Sequence, residues 1–251
     1  MAGAAWIRPR LQDDWSSIAA FVPDSFEHYV RIFHPVGDQC WSDVCAATGA
    51  TAHQLMQWNA ISRGWDGGDP QTGTLGAAGW ATLAAALGPD QPVTLGMWTG
   101  YGEIAVPGES PGSVVTFSAI YSSEPPLEPA GPRDAANDVA LGAITNFDVD
   151  IRSAPLLELP AREYALFRGQ LSTLAEPDWR KESGWAWLWD TTANLAWPDD
   201  RSWFVLSEID FDSTIVGCSA DAATRILQSG LEAALISGDA DLTFTGDHVN
   251  G

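Results

Sequence analysis

Three carboxylates near the C-terminal end are the clearest candidates for chemistry. Glu208, Asp210 and Asp212 alternate with other residues along one predicted strand. Because residues two apart share a face of a strand, this spacing places the three side chains together, each about 7 Å from the next. Close carboxylates bind Mg²⁺ or Ca²⁺ through oxygen, or separate their pKa values and act as acid and base. The pattern therefore suggests a metal-assisted hydrolase or transferase, which Asp199 and Asp200 would join if the preceding turn folds back.

The same run has a simpler interpretation. Phe204 and Leu206 precede the carboxylates in the same register. The apolar pair would then lie inside, and the acids would emerge into water as the strand leaves the core. Charged side chains are usually solvated, so burial preferences favour this interpretation.

The tryptophans give a second candidate site, since the chain contains 13 of them. Trp185, Trp187 and Trp189 alternate and would line one side of an extended segment, where they could stack on a sugar or a base. Core packing is the favoured alternative. Arg201 is predicted to lie in a turn between the rings of Trp197 and Trp203. It would serve either as a ligand-binding residue or as a packing residue.

Motifs of the common enzyme classes are absent from the sequence. There is no Gly-x-Ser-x-Gly elbow and no phosphate loop with Gly-Lys-Ser/Thr. His28 and His34 lie six residues apart, which does not align them on a helix. We expect no cofactor, with Mg²⁺ or Ca²⁺ at the carboxylates as the exception.

Charge is the most extreme property of the chain. It contains 33 Asp and Glu against 12 Lys and Arg, a net charge of −21, and Lys181 is the only lysine. Nucleic acid would be repelled, because phosphate binding needs clustered cations. An acidic surface can instead attract a basic protein partner. A GC-rich genome or growth in salt would also produce this composition without any partner.

The apolar pattern bears on location. The first residues lack an apolar stretch of signal-peptide length, and no apolar run approaches the 18 or so residues that cross a bilayer. We therefore expect a cytoplasmic protein with no membrane contact.

Helical signals dominate residues 1–90. The run from Val22 to Pro35 has capping-box spacing, and its residues Phe26, Tyr29, Val30 and Phe33 form one helical stripe. Further helices are predicted from Ser42 to Thr48, just after Thr51, and from Leu75 to Leu87.

Strand signals dominate residues 91–236. Strands are predicted at Val93–Trp98, Val114–Ile120, Leu156–Leu159, Tyr164–Leu171 and Trp203–Asp212, with an exposed proline-rich loop at 122–137. A last helix is predicted from Ala220 to Ile236, capped by Ser219, and the residues beyond it look poorly anchored. The sequence thus predicts one α+β domain over 1–251: a helical N-terminal third, then a mostly antiparallel sheet with a C-terminal helix packed on it.

Several stretches resemble an uncharacterised family of actinobacterial proteins. They are Val22–Phe26, Phe33–Pro35, Trp98–Gly102, the WPDDRSW run at 197–203 and the SEIDFDST run at 207–214. This resemblance implies an actinobacterial origin and no catalytic residues. The stretch from Val22 to Tyr29 also resembles the start of SUKH-type immunity proteins, which neutralise toxins by binding them. Together with the acidity, this favours a non-enzymatic binding protein with a basic protein partner, and the carboxylate and tryptophan sites stay as alternatives.

Overall fold

The computed structural model describes residues 4–13, 15–99, 155–160, 162–174 and 193–251. The predicted strand at 114–120, the predicted loop at 122–137 and the tryptophans at 185, 187 and 189 lie outside these residues. Within the described ranges, no helix is long and apolar enough to cross a membrane.

The described strands form one sheet in which every neighbouring pair is antiparallel. In chain order they are β1 (His28–Phe33), β2 (Pro92–Trp98), β3 (Leu156–Leu159), β4 (Arg162–Gln170), β5 (Leu195–Pro198), β6 (Phe204–Leu206), β7 (Ser213–Cys218) and β8 (Ala233–Ile236). Their order across the sheet is β3-β4-β2-β5-β6-β7-β1-β8. The predicted α+β class with an antiparallel sheet is confirmed.

The helices are short and lie mainly in the first part of the chain. They are α1 (Trp41–Thr48), α2 (Trp58–Ile61), α3 (Gly76–Leu87) and α4 (Ala220–Leu227), with 3-10 turns at Arg8–Arg10, Ile18–Ala20 and Ser172–Leu174. Gly49 ends α1 in the left-handed conformation, with φ 81°. Ser219 caps α4 by accepting a hydrogen bond from the Ala222 amide. The predicted positions of α1 and α3 and the predicted start of α4 are confirmed.

Both faces of the sheet are buried. One face carries Val30, Val93 and Val205 and packs against α3 and α4. The other carries residues such as Trp197 and Phe204 and is covered by the N-terminal segment. Strands that are buried on both faces read as continuous apolar runs, so period-two alternation is weak in their sequence.

The predicted helix from Val22 to Pro35 is wrong, because residues 28–33 form β1. This strand lies between β7 and β8 and pairs with both. Val30 and Tyr29 pack into different core clusters, as adjacent residues of a strand do. Their helical spacing was coincidental, and pairing with two strands distant in sequence outweighs local propensity. The N-terminal third is therefore not wholly helical.

The C-terminal part also differs from prediction. The last helix ends at Leu227 rather than near Ile236, Gly230 adopts φ 92°, and β8 then pairs with β1. Strands β5 and β7 were not predicted. The predicted strand from Trp203 to Asp212 ends at Leu206, and residues 207–212 form a loop before β7.

Candidate functional site

The 207–212 loop decides where the three candidate carboxylates lie. The Phe211 amide donates to the Glu208 carbonyl at 3.0 Å, which makes a turn instead of continued strand. The period-two alternation therefore stops at Leu206. Because the backbone turns, the carboxylates do not share one face.

Two of the carboxylates hold Arg162 of β4. The Arg162 guanidinium donates through Nε to Glu208 at 2.9 Å and through Nη2 to Asp210 at 2.6 Å. Its other side stacks over the Trp98 ring, 5.5 Å from the centroid. Glu208 is buried and also accepts from the Asp210 amide at 2.7 Å. This arrangement ties the loop to the β2–β4 half of the sheet.

The third carboxylate, Asp212, faces a different arginine. Arg31 of β1 is 1% exposed and donates to Asp212 at 3.4 Å. It also donates to the Ser213 hydroxyl at 3.0 Å and the Met56 carbonyl at 2.9 Å. Burial lowers the pKa of Arg31 to about 10 even though Asp212 opposes the shift, and burial raises the pKa of Asp212 despite Arg31. The desolvation of both charges thus exceeds their mutual attraction.

A cation at these carboxylates would meet two guanidinium groups. Asp199 does not join them, because it holds Arg168 at 2.6 and 2.7 Å, and Asp200 accepts from the Ser202 amide. In the part of the chain that the structure describes, no group of three or more His, Cys, Asp or Glu could hold a metal ion.

His34 lies in a buried chain of hydrogen bonds close to Arg31. Its Nδ1 is 2.7 Å from the Gln71 carbonyl, which can only accept, so Nδ1 carries the proton. Nε2 then accepts from the Thr214 hydroxyl at 2.9 Å, and Thr214 accepts from Ser207 at 2.6 Å. Burial lowers the pKa of His34 to about 4. We call Arg31, His34, Ser207, Asp212, Ser213 and Thr214 the buried polar network.

A second histidine anchors the C-terminal residues, which the sequence predicted to be loose. His53 donates through Nε2 to Asp247 at 2.9 Å, and its Nδ1 accepts from the Leu55 amide at 3.3 Å. Asp247 also accepts from the Gln57 and Asn250 amides at 3.1 and 2.9 Å. Both ring nitrogens are used internally, so this cluster holds structure together.

Arg201 does not lie between Trp197 and Trp203 as predicted. Its guanidinium stacks on Trp6, 5.3 Å from the ring centroid, and its φ is 57°. Trp197 stacks on Phe204 with centroids 5.8 Å apart, and Trp203 is buried on the opposite face. The N-terminal segment, which the sequence analysis did not place, supplies the partner of Arg201.

The surface has a pocket that the sequence analysis missed. It has a volume of about 70 Å³ and is partly open to solvent, and we call it the aromatic pocket; its main lining residues are Trp15, Ser17, Phe21, Phe211, Leu242 and Thr243. Trp15 meets Phe21 edge to face at 5.3 Å, and Phe21 meets Phe211 at 5.2 Å. Trp15 remains 48% exposed, and Phe244, next to the lining residue Thr243, is 79% exposed. Exposed aromatic side chains around a concave surface are typical of protein-binding sites.

Acidic residues lie close in sequence to two of the segments that line the pocket. Asp13 precedes Trp15 by two residues, Asp241 forms a β-bridge with Ser17, and Asp239 lies two residues before it. The Ile18 amide donates to the Ala240 carbonyl at 3.1 Å and holds the two segments together. These lining segments have no common periodicity. The one available signal was an aromatic residue within the polar run DDWSS.

No protein-family model, curated protein or solved structure matches the chain. The resemblances noted from the sequence therefore stay predictions. The functional argument depends on the geometry and charge of the described residues.

Proposed function

We propose that this protein is a non-enzymatic acidic binding protein, of the immunity or antitoxin type, that recognises a basic protein partner. The observation that carries the proposal is the aromatic pocket, where Trp15 is half exposed and where Asp13 and Asp241 lie within two residues of lining residues in the chain. Binding hot spots combine exposed aromatic anchors with a surrounding polar rim. The pocket has both.

The charge distribution supports a cationic partner. The net charge is −21, and described arginines such as Arg31, Arg162 and Arg168 already engage carboxylates of the same chain. Among the described residues, acids such as Asp38, Asp66 and Glu158 are exposed. Such a surface accelerates the capture of a basic protein and repels acidic ones.

The polar clusters support binding over catalysis. Arginines already neutralise Glu208, Asp210 and Asp212, and the hydrogen-bonding capacity of His34 and His53 is used within the fold. A catalytic base needs reach to a substrate proton, which a fully buried histidine lacks. We therefore rank metal-assisted hydrolysis or transfer second. The alternative of a tryptophan-lined ligand site concerns residues outside the described ranges.

The proposal places the protein in the cytoplasm. Its cysteines, Cys40, Cys45 and Cys218, are free thiols, which reducing compartments preserve. An immunity protein acting there would bind its toxin before the toxin reaches its target.

The test uses three baits on an extract of the source organism at low salt. The first is the natural protein, and the second is D13N/D239N/D241N at the pocket. The third is D38N/D66N/E158Q, a matched control whose exposed acids are distant in sequence from the lining residues. Both variants remove three carboxylates and raise the net charge from −21 to −18. Proteins captured by the first and third baits and weakened on the second are purified and measured directly.

We expect a basic partner whose association rate falls on the order of tenfold as salt rises, because screening removes electrostatic steering. Expressed alone, the partner should arrest growth, and co-expression with the natural protein should restore it. Equal weakening by both triple variants, or binding that does not depend on salt, would contradict the proposal.

A further inference from the structure

We infer that the aromatic pocket receives the side chain of an arginine on the partner, an inference that rests on the proposed function. Three observations converge on this occupant: the aromatic lining, the acidic flanks and the fixed shape of the rim. Each is independent of the identity of the partner.

The lining suits a guanidinium group. Trp15, Phe21 and Phe211 form a continuous row of rings, and about half of the Trp15 surface is open to solvent. A guanidinium plane stacks on indole and phenyl faces, and its long aliphatic stem packs on apolar surface. The lining also includes the polar residues Ser17 and Thr243.

Charge complementarity favours a cation over a neutral side chain. Asp13, Asp239 and Asp241 lie within three residues of lining residues in the chain, and Asp241 forms a β-bridge with the lining residue Ser17. Between lysine and arginine, the planar and weakly hydrated guanidinium loses less hydration on entering an aromatic site. The pocket is therefore matched to arginine.

The rim is pre-organised for an incoming side chain. The Thr243 amide donates to the Asp241 carboxylate at 2.8 Å, and the Gly246 amide donates to the Thr243 carbonyl at 2.9 Å. No Cβ would fit at Gly246, because the Asp241 carbonyl lies directly against it. This tight turn fixes the backbone of the lining residue Thr243, so little backbone entropy is lost there on binding.

The test titrates the full chain with N-acetyl-arginine amide and, as the matched neutral probe, N-acetyl-citrulline amide. Binding is followed by the indole and amide resonances in ¹⁵N NMR spectra. We expect arginine amide to bind about tenfold more tightly than citrulline amide, the difference that a cation–π contact provides. The shifts should localise to residues 15–21, 211 and 241–244. Trp15→Leu should abolish this preference, whereas Trp65→Leu, which changes a tryptophan outside the pocket, should preserve it.

Several results would overturn the inference. Equal affinity for the two probes, or tighter binding of N-acetyl-leucine amide, would assign the pocket to a neutral side chain and leave the proposed function standing. Self-association that Trp15→Leu abolishes would assign it to a second copy of the chain. Retained binding of the basic partner by the Trp15→Leu and Phe211→Leu variants would show that the pocket is not the contact. Failure to find any basic partner would contradict the proposed function itself, whatever the probes do.

Discussion

The buried polar network and the aromatic pocket are neighbours with opposite characters. Asp212 belongs to the network and the adjacent Phe211 to the pocket, so one loop serves both. In the network, buried charges and hydroxyls bind partners within the chain. In the pocket, the Trp15 ring stays about half exposed to solvent. The comparison separates polar groups whose partners lie within the fold from exposed apolar surface, where we propose that a partner binds.

The network shows why charge alone does not mark a functional site. Burial lowers the pKa of Arg31 and raises the pKa of Asp212, and both shifts disfavour the charged form. Such a pair adds little to net stability relative to an apolar core, but losing one partner is costly. Its role is to fix how β1, β7 and the segment before α2 meet.

The largest expected effect is on the network. Replacing Arg31 by Met removes its hydrogen bonds to Asp212, Ser213 and Met56, and it should lower the free energy of unfolding by about 3–5 kcal/mol. Urea unfolding measures this. Arg168→Met is the control, because its pair with Asp199 is exposed, so its loss should change the free energy of unfolding far less. Equal losses in the two variants would remove the distinction between buried and surface pairs.

His34 should make stability depend on pH. Its folded pKa of about 4 lies below the ordinary value of 6.5, so the unfolded chain takes up the proton first. Its contribution is complete above pH 6.5 and is lost as the pH falls to 4, about 3 kcal/mol in all. His34→Gln should flatten that part of the stability profile. An unchanged slope would mean that His34 is not held neutral by burial.

Asp247 should make stability depend on pH in a lower pH range than His34 does. Burial opposes its ionisation, but hydrogen bonds from Asn250, Gln57 and His53 hold its pKa well below the usual range. Its contribution is therefore present above the unfolded pKa of about 4 and is lost as the pH falls below it. Asp247→Asn should cost about 2 kcal/mol at neutral pH and weaken the acid dependence. The exposed Asp239→Asn variant should change neither quantity in urea unfolding at matched pH.

The pocket should give the smallest effect on stability. Trp15 is half exposed, so Trp15→Leu should change the free energy of unfolding by about 0.5 kcal/mol or less. The same variant should lose the basic partner. A large loss of stability would show that Trp15 is a core residue. The aromatic pocket would then not differ from the buried polar network in its contribution to stability.

Local signals explain which elements the sequence predicted well. Helices α1 and α3 carry their own stop signals in Gly49 and Gly88, and β2 and β3 are bounded by turn residues. These features act within a few residues, so they can be recognised without tertiary context. The antiparallel α+β class followed from them.

Distant contacts explain the failures. β1 forms because β7 and β8 pair with it, and nothing near His28 indicates those partners. The sequence singled out the acids at 208, 210 and 212 as a group, but their arginine partners come from β4 and β1 and divide them. The aromatic pocket assembles three separate segments, of which none has a motif. Pairing and convergence of distant segments could not be read from local spacing.

Hydrogen–deuterium exchange with and without the purified basic partner tests the central claim most directly. If the pocket is the binding surface, added protection should appear at residues 15–21 and 239–244, while β1 and β7 change little because their amides are already paired on both sides or buried. The D13N/D239N/D241N variant should lose that added protection at partner concentrations that saturate the D38N/D66N/E158Q control. Protection confined to α3 or to the β3 edge, with the pocket segments unchanged, would contradict the account.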